Sequence, residues 1–134
     1  MTRTLAYSGE KFRIVYARDR VGASPSEAFL QELSTPDQAK MVALFRRFGD
    51  TGNFMNKQKF RDLGQGLYEF KSHQIRMIFS YCKVERAVVV LTHGFVKKQD
   101  KTPKEEIDRA LRIFDEDQAW LLAKGPHLVR KAGR

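Results

Sequence analysis

Cysteine is nearly absent. The 134-residue chain carries one, Cys82, which cannot form an intramolecular disulfide. Its stability must therefore come from a core, and a reducing cytoplasmic setting is the expectation. Histidine is scarce as well. His73, His93 and His127 are scattered, and with one cysteine they offer no zinc-ligand spacing, so no metal or other cofactor is expected. No apolar run approaches the roughly 18 residues of a membrane span. The opening MTRTLAYSGEK also lacks the apolar centre of a secretory signal, so no membrane association is expected. With only four prolines and no long linker or repeat, a single domain over 1–134 is predicted, with loose ends at 1–10 and 126–134.

Acidic residues are also in short supply. Sixteen Asp and Glu stand against 25 Lys and Arg, giving a formal net charge of +9. That excess implies a polyanionic partner, most often nucleic acid. Its distribution is uneven. Lys57, Lys59 and Arg61 precede a hairpin pattern, Lys97, Lys98, Lys101 and Lys104 follow the last strand pattern, and Lys124, Arg130, Lys131 and Arg134 form a basic tail.

What is present is well punctuated. Alternation predicts a short strand over 12–16, whereas 1–10 carry no signal. Ser24-Pro25-Ser26-Glu27 reads as a capping box, and Phe29, Leu30 and Leu33 form the buried side of the helix it opens. Thr35-Pro36-Asp37-Gln38 repeats that signature. Met41, Leu44, Phe45 and Phe48 line a second helix ending near Gly49. The pair reads as a helical hairpin packed on a sheet. Residues 50–65 look like an irregular connection pinned by Phe54, Phe60 and Leu63, and their cations suit a second arm of a nucleic-acid groove. Strands are predicted over 66–71, 74–82 and 86–95, the last apolar on both faces like a central strand. Thr102-Pro103-Lys104-Glu105 reads as a third capping box. The helix it opens carries Ile107, Ala110, Leu111, Phe114 and Leu121 on one face and stops at Gly125-Pro126. The order β-α-α-β-β-β-α is that of an α+β fold.

Strand parity isolates the chemistry. A hairpin turning at Ser72-His73 sets Glu69 across from Arg76, with Leu67, Lys71, Gln74 and Ile78 on the same face. Tyr68, Phe70, Ile75, Met77, Phe79 and Tyr81 fall on the other, apolar face. The bland reading of the first face is an exposed cross-strand ion pair worth at most about 1 kcal/mol.

The motifs GLYEFK, IRMIFSY and HGFVKKQDKTP resemble the RelE/HigB toxin superfamily, in particular its phage-derived HigB-like branch, closely over 60–112. The resemblance implies a RelE-like α+β fold: an N-terminal strand and helical hairpin on a curved antiparallel sheet, with a C-terminal helix. It also implies a type II toxin that cleaves messenger RNA, commonly on the ribosome, and is neutralised by a helix-turn-helix, HigA-like antitoxin. The alternative is a basic RNA- or ribosome-binding module of the same fold that does not cleave.

Metal-free RNA cleavage uses the adjacent 2′-hydroxyl as nucleophile, and needs a base near it, cations at the phosphate and a proton donor for the leaving 5′-oxygen. Arg76 suits bidentate phosphate contact, and Lys97 and Lys98 fall where the family places basic residues. Glu69 either orients Arg76 or accepts the 2′-hydroxyl proton. Lys57, Lys59, Arg61, Lys71, Lys101 and Lys104 are the candidate RNA contacts, and Lys101 stands just before an anion-friendly helix N-terminus. His93, at a strand end, is a secondary candidate that titrates near neutrality. The stretch from Lys104 to Leu111 lacks the tyrosine that some members carry on the last helix, so the proton donor stays unassigned.

Overall fold

A computed structural model of the chain describes residues 4–53 and 56–124. The chain runs β1 (Leu5–Ser8), β2 (Arg13–Tyr16), α1 (Pro25–Glu32), α2 (Thr35–Thr51), β3 (Phe60–Gly64), β4 (Leu67–Ser72), β5 (Ile75–Tyr81), β6 (Val88–Val96) and α3 (Lys104–Lys124). The strands form one sheet in the order β1-β2-β6-β5-β4-β3. It is mixed, which corrects the expected antiparallel sheet. β2 pairs with β6 in parallel, and every other pairing is antiparallel. Because α1 and α2 carry the chain across one face to the far edge, β2 and β6 meet as non-sequential neighbours. No hairpin fixes their relative direction.

Both faces are covered. Leu30, Met41, Leu44, Phe45 and Phe48 of the helical hairpin pack on Ile14, Phe70, Met77, Phe79, Val89 and Leu91. On the opposite face α3 lays Ile113, Phe114 and Leu121 on Val15, Val88 and Val90, and Ala110 on Leu67, Ile78 and Phe95. β6 is central and buried except at its last residue, as its continuous apolar run predicts.

Two strands were not legible in the pattern. Leu5–Ser8 pairs with β2, so this stretch is not a loose end. Phe60–Gly64 pairs with β4 where an irregular connection is expected. Both are short edge strands with a bulge. Phe60 is buried and Leu63 packs beside the Leu67 cluster, whereas Phe54 lies outside the described residues. So do Gly125-Pro126, His127 and the basic tail residues Arg130, Lys131 and Arg134.

Helix boundaries also shift. α2 runs past Gly49 to Thr51 and ends on Gly52, whose φ of 66° suits a residue without a side chain. Gly49 is instead a docking point. Its carbonyl accepts from both Lys11 N and Phe12 N, and a Cβ on Gly9 would collide with the Gly49 backbone. The cap of α2 is Ser34, which accepts from Asp37 N, while Ser24 makes no capping bond to α1.

A bulge in β6 between the pairs Ile78–His93 and Phe79–Leu91 leaves Thr92 as the extra residue. Val88 and Val90 face α3, and without the bulge His93 and Phe95 would face α1. With it, Phe95 joins Leu67 and Ile78 under α3, and Gly94 turns toward Phe29 of α1.

Candidate nucleic-acid interface

The β4–β5 hairpin turns at His73-Gln74, with Ser72 opposite Ile75 and Lys71 opposite Arg76. His73 takes a left-handed φ of 55° to make that turn. The expected register is thus displaced by two residues. Such a shift keeps every side chain on its face, so Glu69, Lys71, Arg76 and Ile78 still share one. Glu69 now stands opposite Ile78 and diagonal to Arg76, and Arg76 Nε lies 3.6 Å from Glu69 Oε2.

That pair is not exposed, which corrects the surface-pair reading. Glu69 has no accessible surface and Arg76 is 6% exposed. The Thr102 hydroxyl donates to Glu69 Oε1 at 2.9 Å. That hydroxyl ties the segment before α3 to the floor of the sheet. Arg76 Nη1 donates to His73 O at 2.5 Å and Ile75 O at 3.1 Å. Arg76 Nε and Glu69 Oε2 face each other across the ion pair, with no hydrogen bond among the described residues. Burial lowers the Arg76 pKa and Glu69 opposes the shift, but a guanidinium stays charged. The result is an ion pair just beneath the surface, its guanidinium fixed in place.

Around it the surface is cationic. Lys71 projects beside Arg76 and donates from Nζ to Lys57 O at 3.0 Å. Its pKa is lowered, first by partial burial and then by Arg76, with Lys97 and Arg61 pushing the same way and Glu69 opposing. Arg61, Arg76 and Lys97 thus all lie near enough to act on Lys71. Arg61 is delivered by β3, opposite Glu69, and Lys97 N donates to Gln74 O at 2.7 Å, which anchors the 97–103 segment on the hairpin turn. Two shallow cavities flank the cluster. One, of about 350 Å³, is lined by Lys57, Phe60, Arg61, Asp62 and Lys71. The other, of about 360 Å³, includes Phe95, Lys97, Lys98, Pro103 and Glu106.

The remaining candidates fall elsewhere. Lys59 lines a separate groove against α2, Lys101 is exposed on the loop, and Lys104 is exposed and paired with Asp108 at 3.2 Å. His93 is fully buried, with Nε2 2.8 Å from Glu106 Oε1 of α3 and Nδ1 3.5 Å from the Thr92 hydroxyl. Burial lowers its pKa and the Glu106 hydrogen bond opposes this. The geometry is that of a tether between β6 and α3, with the ring itself buried and its partner Glu106 partly exposed. Sequence reasoning missed Thr102, which it read as a helix cap. It also ranked Lys71 as a mere contact, although parity already set it beside Arg76.

Among the described residues no group of His, Cys, Asp and Glu could hold a metal ion, and no helix is long and apolar enough to cross a membrane.

A three-layer α+β protein whose mixed sheet carries a cationic surface over a buried Arg76–Glu69 pair is the class these features define. Residues 28–115 match the family model described as phage-derived protein Gp49-like (DUF891), and the chain belongs to that family. It is a RelE-like family associated with the toxins of toxin–antitoxin systems, which implies an antitoxin as partner. The match runs from α1 into α3 and includes the Glu69, Arg76 and Thr102 constellation. No curated protein matches the chain.

Proposed function

We propose that this chain is a metal-independent messenger-RNA endonuclease of the HigB-like branch, acting on the ribosome. The observation that carries the reading is the placement of Lys71 opposite the buried Arg76, with Arg61 opposite Glu69 on the next strand and Lys97 near enough to act on Lys71. A phosphodiester in this cleft meets several positive charges, which favour the extra negative charge of the pentavalent transition state. The 2′-hydroxyl oxygen bonds to phosphorus and loses its proton to water. The bond from phosphorus to the 5′-oxygen breaks, leaving a 2′,3′-cyclic phosphate. Lys71 gives the departing 5′-oxygen its proton, a role its lowered pKa suits. Glu69 holds Arg76 in place and, being inaccessible, does not act as base.

A second reading has its own support. Glu69 and His93, the two sequence candidates for proton acceptor, are both fully buried. A cationic surface whose expected base, Glu69, is out of reach also fits an RNA- or ribosome-binding module that blocks without cutting.

Induced expression with mapping of messenger-RNA 5′ ends separates the two. Arg76→Ala is a poor probe, because it strands a buried carboxylate and costs about 3–5 kcal/mol of stability. Lys71→Ala combined with Lys97→Ala removes the proposed proton donor and a neighbouring charge and leaves the buried pair intact. Nuclease action predicts growth arrest with codon-phased new ends that vanish in the double variant. Arrest without new ends identifies the blocking module.

A further inference from the structure

A second basic concavity lies outside the cleft. A cavity of about 470 Å³ opens between α2 and the tip of the β4–β5 hairpin, lined by Lys40, Ala43, Leu44, Arg47, Lys59, Ser72 and His73. Its lining holds three permanent cations and no carboxylate. Lys40 Nζ stands 3.4 Å from His73 Nε2, which fixes the ring at the rim. Ser72, 3% exposed, lines the cavity beside them. A hydroxyl set among ammonium and guanidinium groups is the donor set a phosphate takes up.

This cavity abuts the cleft around the sheet edge. Lys59 lines the one, Lys57 and Arg61 line the other, and Lys59 O accepts from Lys71 N at 2.8 Å. A ligand filling both must be a continuous polyanion that bends around β3, which a single RNA strand with its regular phosphates does and a compact anion does not. We infer that the Lys40–Arg47–Lys59–Ser72 groove is a second phosphate-binding subsite that holds the RNA backbone beyond the cleavage cleft. The inference rests on the reading of the chain as RNA-directed, but not on cleavage.

The test is fluorescence anisotropy with labelled 2′-O-methyl oligonucleotides, which lack the nucleophilic hydroxyl and stay intact. The full-length wild type is compared with the double variant Lys40→Ala, Arg47→Ala. Both positions are exposed on α2, and an unchanged melting temperature checks the fold. For a strand of about 16 nucleotides the variant loses about tenfold in affinity, and its salt slope flattens by about 1.4, the value for two lost phosphate contacts. For a strand of about four nucleotides the loss is much smaller. Equal affinity and slope for variant and wild type on the long strand would overturn the inference. So would a loss independent of length and matched by adenosine monophosphate, which marks a free-nucleotide site. An equal loss for poly-glutamate would overturn it in favour of an acidic protein partner. If the wild type binds the long strand with this length dependence but cuts no message, the cleavage reading fails and the subsite stands.

Discussion

A carboxylate with no exposed surface must be satisfied from within, and Glu69 draws on two sources far apart in the chain. Arg76 supplies the countercharge from the neighbouring strand, and Thr102 supplies a hydroxyl from 33 residues downstream. Removing that donor leaves a buried oxygen without a hydrogen bond. Thr102→Val is expected to destabilise by about 1.5–3 kcal/mol. In urea this lowers the midpoint at constant slope, and Thr102→Ser restores it. An unchanged midpoint would mean that the hydroxyl contributes nothing to the pair. His93 allows a prediction in pH. Its folded pKa lies below the ordinary 6.5, so as pH falls the unfolded chain takes up the proton first. Stability is therefore complete above about pH 6.5 and declines from there down to the depressed folded value. The difference in urea midpoint between pH 7.5 and pH 5.5 should shrink in His93→Gln. If it does not, other groups set the acid limb.

At the scale of the element, the close approach of α1 to β6 depends on a missing side chain. A Cβ on Gly94 would collide with the Phe29 ring. Gly94→Ala is expected to cost about 1–3 kcal/mol through overpacking, read as a lowered melting temperature. Phe29→Ala in the same background should recover part of the loss. The helices and β6 were legible because their signals are local: prolines in the first turns, apolar spacing on α2 and α3, and a run of valines. β1 and β3 were not. Each has one free edge, and the Arg61-Asp62 pair in β3 reads as loop. The face shared by Glu69 and Arg76 was legible although the register was not, since Ser72-His73 and His73-Gln74 are both polar turns and give the same parity. Their burial was out of reach. The cover comes from Thr102 and α3, and nothing in strand alternation says that a second helix layer lies over the face.

For the whole molecule, the net charge of +9 proves less informative than its placement. Lys104 is spent on an i,i+4 pair with Asp108, and Arg112 on one with Glu116. Arg61 and Lys97 instead stand near Lys71, which lies opposite a guanidinium that the hairpin turn and a buried carboxylate hold in place. The expected cations are distributed over several places. Lys97 stands near Lys71, Lys98 lines the adjoining cavity, Lys59 faces the other groove, and Lys101 and Lys104 lie apart. Which residues share a cleft depends on how β3 folds back along β4, a long-range pairing that spacing alone does not encode.

The central claim is that this cleft cuts RNA through the neighbouring 2′-hydroxyl, and the most direct test reads the chemistry of the new ends. Programmed ribosomes are incubated with the protein and a message carrying a single 2′-deoxy substitution at the mapped cut. The account predicts 2′,3′-cyclic phosphate ends on the unmodified message and no cut at the deoxy site, with the lysine pair variant inactive on both. New ends bearing a 3′-hydroxyl, or cleavage that persists at the deoxy site, would contradict it.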